Sequence, residues 1–166
     1  MTKNAVAADE LRFAHNFTNT LLDAVPEEQW FQMPGGNVTH VGWQVGHIAF
    51  AKHVLIFGRI LERTPEDTGL LPEGFVPLFG KGSQPSPDPA LYPAAAEIRK
   101  IRETVHNHVL EAIADLPQTL LNEPSAPRHP AFRDKYGALL WAARHELVHA
   151  GQIALLRREL GHEPLR

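Results

Sequence analysis

Asp134-Lys135-Tyr136-Gly137-Ala138-Leu139-Leu140-Trp141-Ala142-Ala143-Arg144-His145-Glu146-Leu147-Val148-His149-Ala150-Gly151-Gln152-Ile153, running on to Leu160 before Gly161, reads as one long helix. Gly161 is a natural C-cap. Advancing about 100° per residue from His145 brings Ala138, Trp141, Ala142, Val148, His149, Gln152, Leu156 and Glu159 to within about 60° of it. Arg144, Ala150, Arg157 and Arg158 fall elsewhere. The inward face therefore carries two imidazoles one turn apart, beside a tryptophan and a leucine. Burying two adjacent histidines in such company is costly unless something satisfies both rings. Histidines at i and i+4 converge over one turn and can share a metal ion.

Three further segments show helical spacing. The first spans about Ala5 to Ala24, with Leu11, Ala14, Phe17, Leu21 and Leu22 on one face and Pro26 beyond it. The second spans about Val38 to Arg63, with Thr39 as candidate N-cap and Pro65 as stop. The third starts at Pro89 or Pro93 and ends at Leu116 before Pro117; Ile98, Ile101, Val105, Val109 (or His108) and Ala112 form its stripe. Period-2 alternation of β-branched residues is not sustained anywhere. The expected fold is all-α: a single domain over residues 1–166, built as a four-helix bundle. The Pro- and Gly-rich stretch from Thr64 to Pro89 contains Phe75, Val76, Leu78 and Phe79, so it is expected to pack on the bundle as a cover. The stretch from Pro117 to Arg133 reads as irregular.

Composition sets the outer limits. Of 166 residues, 43% are apolar, enough for a core without disulfides, and the net charge is -3. No basic stripe marks a nucleic-acid partner. The absence of Cys excludes thiolate-ligated zinc and a cysteine nucleophile. The N-terminal residues lack a signal-peptide core and no run is long enough to cross a bilayer, so a cytoplasmic location is expected.

The ten histidines are scattered rather than clustered in one tract. By the same phase argument His47 lies on the apolar face of the second helix, near Trp43, Phe50 and Val54, whereas Lys52, His53 and Arg59 point away. With ten histidines, roughly 0.6 pairs at i,i+4 arise by chance, so inward direction and a third inward histidine carry the argument rather than spacing. His47, His145 and His149 are the candidate metal ligands. His40 reads as exposed near a helix start, and His106, His108, His129 and His162 as surface or loop residues. The phases leave His15 undecided.

His145-Glu146-Leu147-Val148-His149 is also H-E-x-x-H, in which a zinc peptidase uses the glutamate as general base. The longer continuation of that motif fails, because Gly151 comes one residue early and no third histidine follows at the required spacing. Only 17 residues remain after His149, which leaves little room for a downstream glutamate ligand. No strand is legible to hold a peptide substrate.

Asn37-Val38-Thr39-His40-Val41-Gly42-Trp43-Gln44-Val45-Gly46-His47-Ile48-Ala49 resembles the second-helix signature of the DinB family, a small polar start leading to W-x-x-G-H. His145 to Ile153, followed by Leu156-Arg157 and Gly161, resembles its fourth-helix signature, roughly H-E-x-x-H-R-G-Q. Order and spacing agree over most of the chain. The resemblance implies an up-down-down-up four-helix bundle, often dimeric, with a divalent ion, usually zinc or nickel, on positions matching His47, His145 and His149. The arginine common after the last histidine is Ala150 here, at a position facing away from the ion.

Three neutral imidazoles leave a divalent ion with open positions, as catalytic and substrate-binding sites do. The DinB-like superfamily includes transferases and isomerases that use low-molecular-weight thiols. The expected function by resemblance is a thiol-dependent S-transferase or isomerase acting on a small electrophile. The alternatives are a metal-dependent hydrolase of a small amide or ester, and a non-catalytic metal-binding stress-response protein. Glu146 and Gln152 are the catalytic candidates. For Glu146 the phases favour an exposed helix residue. Gln152 either orients a ligand or is a partly exposed residue at the bundle end. Trp43, Phe50 and Trp141 are candidate pocket residues, for which core packing is the simpler reading.

Overall fold

The computed structural model describes residues 1–165, apart from the side chain of Asn37. In chain order the helices are α1 (Lys3–Leu22), α2 (Pro34–Asn37), α3 (Val41–Arg59), α4 (Pro65–Gly69), α5 (Phe75–Phe79), α6 (Ala95–Ile113) and α7 (Gln118–Leu121); after strands β1 (Pro124–His129) and β2 (Phe132–Asp134) comes α8 (Lys135–Glu159). The protein is thus mostly helical, as expected, and the four long helices fall in the four segments with helical spacing. The irregular reading of Pro117 to Arg133 is corrected: β1 and β2 pair there as an antiparallel hairpin. The hairpin is short, irregular in register and carries Pro124 and Pro127, so it leaves no alternating pattern to read.

Local side-chain caps start several of the helices. Asp134 caps α8 by accepting from the Gly137 amide at 2.7 Å. Thr64 and Asp67 form a reciprocal capping box at α4. The cap of α3 is His40 rather than Thr39, its Nδ1 accepting from the Trp43 amide at 3.0 Å. His40 is completely buried, edge-on to Phe31 and Tyr92, which corrects its exposed reading. Thr39 instead accepts from the Gln44 side chain at 3.0 Å.

The four long helices pack in the cyclic order α1, α8, α3, α6, with α6 returning to α1. Ala7, Leu11, Val45, Ile56, Ile98, Val105, Leu139 and Ile153 fill the space between them. Phe17, expected inside, is 44% exposed, and α1 turns His15 and Thr18 inward instead.

A polar knot crosses that interior. Glu146 of α8 receives Lys52 Nζ of α3 at 2.7 Å on one oxygen, and Arg102 Nη2 of α6 at 2.6 Å on the other. The Arg102 guanidinium also donates to the His15 carbonyl at 3.0 Å and to the Asn19 side chain at 2.8 Å, both on α1. Lys52 Nζ lies 3.1 Å from His106 Nδ1, and the His106 ring stacks on His15 at 3.8 Å. All four long helices therefore meet at one carboxylate. Several sequence expectations fail here together. Lys52, His106 and Glu146 are buried, not exposed, and His15 joins them. His53, also expected to point out, is buried against the Asp67 carbonyl at 2.7 Å. Reading charge and histidine as surface markers breaks down when the partners sit on other helices.

Burial pushes the Glu146 carboxyl up, and the Lys52 and Arg102 charges overcome it, holding the group down at about 2. Removing it leaves two buried cations unpaired. Glu146→Ala is expected to cost about 3–5 kcal/mol in urea unfolding, while a comparable change at exposed Glu62 stays within about 0.5 kcal/mol. Burial, with help from Arg102 and Lys52 respectively, lowers His15 and His106 to about 3. The unfolded chain protonates them near 6.5. Below that pH it binds protons the folded protein refuses, so stability falls as pH drops from about 6.5 towards 3. Each histidine contributes a slope of up to about 1.4 kcal/mol per pH unit. Urea midpoints of metal-free protein at pH 7, 5.5 and 4.5 check this; a flat series contradicts it.

Candidate metal centre

Helix α8, held in rotation by Glu146, presents His145 and His149 on the side facing α3. Their Nε2 atoms are 3.3 Å apart. His47 of α3 completes the group, its ring 4.9 Å from that of His149 and 5.4 Å from that of His145. One nitrogen from each of the three lies within 4.8 Å of the other two, an arrangement able to hold one metal ion. Sequence reasoning named these three, and the structure brings all of them together.

Outer partners fix the tautomers of two rings. His47 Nδ1–H donates to the Phe79 carbonyl at 2.7 Å, and His149 Nδ1–H to the Gln44 side-chain oxygen at 2.5 Å. The Nε2 atoms of both rings then carry lone pairs. The Nε2 of His145, 3.3 Å from that of His149, adds a third imidazole nitrogen to this pair. The donor set fits a divalent ion: three neutral imidazoles, two of them oriented from behind, with no fourth protein ligand in the cluster among the described residues. Burial is the main cause lowering all three basicities, to about 4 for His145 and about 3 for His149. The rings are neutral near pH 7 and ready to ligate.

The cover between α3 and α6 supplies half of this outer layer. Helix α5 inserts Phe75 and Phe79, both buried, and hands the Phe79 carbonyl to His47. Gly46 makes the approach possible, since a Cβ there would collide with the Phe79 ring. Trp43 lies flat on His47, centroids 4.7 Å apart, and its indole N–H donates to Ser83 Oγ at 3.0 Å.

A sequence model of the DinB superfamily matches residues 10–153, a span that contains all three histidines. The chain belongs to the DinB superfamily. A search of curated proteins returns no match.

In this DinB-superfamily chain the other candidates fall into two groups. Trp43 touches the centre directly, while Phe50 and Trp141 flank it, their rings 6.0 Å from His47 and 6.3 Å from His145. Gln152 is exposed, one turn beyond His149. Glu146 is engaged by Lys52 and Arg102. Ala150 is fully buried, a packing position rather than a surface contact. The phase argument missed Gln44 and the Phe79 carbonyl. Gln44 did carry a signal, as a polar side chain inside the otherwise apolar start of α3. A main-chain carbonyl leaves none.

Loss of an outer partner of this kind typically weakens metal affinity by about 10–100-fold. Gln44→Ala is therefore expected to lower zinc affinity in that range with the fold intact. Competition with a chromophoric chelator, alongside far-UV circular dichroism, measures both.

Proposed function

We infer that this protein holds one divalent ion, zinc or nickel, on His47, His145 and His149, and acts as a thiol-dependent transferase or isomerase on a small electrophile. The observation that carries the reading is a three-imidazole cluster, two of its rings oriented by outer acceptors, with no fourth protein ligand among the described residues, which is the pattern of a site kept open for an exogenous group. When bound, such an ion stabilises the deprotonated form of a sulfur ligand at neutral pH. The chain's own residues do the rest. Phe79 and Gln44 orient the rings, and Trp43 shields one face of His47. Gln152, at the exposed side of His149, offers an amide to an incoming polar group. The protein has no Cys, so the sulfur comes from a low-molecular-weight thiol.

Metal-dependent hydrolysis of a small amide or ester is the second reading. It needs a base beside the open position, and Glu146, the motif's candidate, has its carboxylate held between Lys52 and Arg102. The hydrolytic reading is accordingly the weaker of the two.

Elemental analysis of purified protein is expected to give about one ion per chain, lost in His149→Ala. Conjugation of monochlorobimane by the loaded wild type is expected only with an added small thiol. Ester or amide cleavage without thiol points to the hydrolase instead. Metal uptake with neither activity points to a binding protein.

A further inference from the structure

A groove of about 480 Å³ opens beside the metal centre, between the start of α3, the end of α8, α2 and the loop through Ser83 and Pro85. Three of its wall residues adjoin the histidines: Trp43 stacks on His47, Gln44 bonds His149, and Gln152 lies one turn along α8 from His149. From there the walls are chiefly apolar, formed by Val38, Leu155, Leu156 and two prolines. The far end is different. Glu159 is the single charged side chain among the described residues that line the groove. From His149 to Glu159 is ten residues, a span of about 15 Å along the helix axis.

Two observations make that end electronegative. Glu159 is the last residue of α8, where unpaired main-chain carbonyls already carry partial negative charge. A carboxylate there is at the unfavourable pole of the helix. No lysine or arginine forms an ion pair with Glu159 among the described residues; of the two arginines in the last turn, Arg157 is buried and turns to the carbonyls of Ala24 and Glu163, and exposed Arg158 lies outside the groove lining. The exposed side chain reaches across to α2. The carboxylate oxygens lie against Gly35, whose φ is +64°, and a Cβ on that residue would come within 2.5 Å of Glu159 Oε2. The left-handed turn at Gly35 thus leaves room for the carboxylate at the groove's end.

We propose that this groove binds an elongated, mainly apolar small molecule whose protonated amine pairs with Glu159 while its opposite end reaches the metal centre. The apolar wall sets the body of the ligand, the lone carboxylate and helix terminus set the charge of one end, and the histidines set the other as a donor to a metal ion. The second half of this statement rests on the metal reading above; the amine-binding half does not. A cation against this exposed carboxylate gains a charge-assisted hydrogen bond, worth up to about tenfold in affinity.

The test uses four probes on the full chain, with and without cobalt(II): n-octylamine, 1-octanol, 8-amino-1-octanethiol and 1-octanethiol. Calorimetric titration gives affinities, and near-UV absorption reports sulfur ligation to cobalt. Octylamine is expected to bind up to about tenfold more tightly than octanol, with or without metal. Glu159→Gln is expected to abolish that preference while leaving octanol affinity and metal content unchanged. In cobalt protein the aminothiol is expected to bind more tightly than either octylamine or octanethiol, with a charge-transfer band. Equal affinities for octylamine and octanol in the wild type overturn the proposal, as does an amine preference that survives in Glu159→Gln. An amine preference without cobalt uptake sinks the metal reading and leaves Glu159 as the amine partner. Cobalt uptake without an amine preference does the reverse.

Discussion

The geometry of this protein depends on how one buried carboxylate is paired. Glu146 joins α8 to Lys52 of α3 and to Arg102 of α6, and through Arg102 to α1. A charge this deep is tolerated only because each of its oxygens meets a cation at hydrogen-bond distance. The pairing also has direction. A hydrophobic contact can slide, whereas a carboxylate whose one oxygen accepts from two nitrogens of Arg102 and whose other faces Lys52 cannot rotate far before these contacts are lost. With Glu146 fixed between Lys52 and Arg102, the helical advance leaves His145 and His149 facing His47 and the cover. The ligands of the candidate centre are thereby aimed by a residue that does not belong to it.

The cover is the second determinant. Three contacts tie the segment between α3 and α6 down: His53 donates to the Asp67 carbonyl, His108 to the Asp67 carboxylate, and the phenyl ring of Phe79 packs over Gly46. The last places a main-chain carbonyl behind His47. Without it the Nδ1–H of that ring would be a buried donor with no acceptor. The cover and the centre therefore support one another. Seating Phe79 orients His47, and the hydrogen bond to His47 holds the chain of α5 in place.

The legible part of the fold was the part governed by local periodicity. The four long helices and their approximate ends follow from apolar spacing with Pro65, Pro117 and Gly161 as punctuation. His47, His145 and His149 were legible for the same reason, since each lies on a face whose neighbours are apolar. What failed were inferences about polar residues whose partners are distant in sequence. Lys52 looks like a surface lysine until Glu146, far along the chain, is brought beside it. His106 looks exposed until it stacks on His15. His40 reads as exposed because a helix start normally lies in solvent, but Phe31 and Tyr92 close over it. The hairpin was missed because its prolines suppress the alternation that announces a strand.

The meaning of H-E-x-x-H in this chain follows from the same constraint. Consecutive residues on a helix point about 100° apart, so a glutamate next to a ligand histidine can face the ion only if the helix is rotated to share one side between them. A peptidase adopts that rotation. Here the pairing of Glu146 with Lys52 and Arg102 selects the other, in which the glutamate serves the core and the histidines serve the centre. Identical letters thus place a buried glutamate between two cations of the core. The discriminating information lies not in the motif but in Lys52 and Arg102, the two cations that claim its central acid.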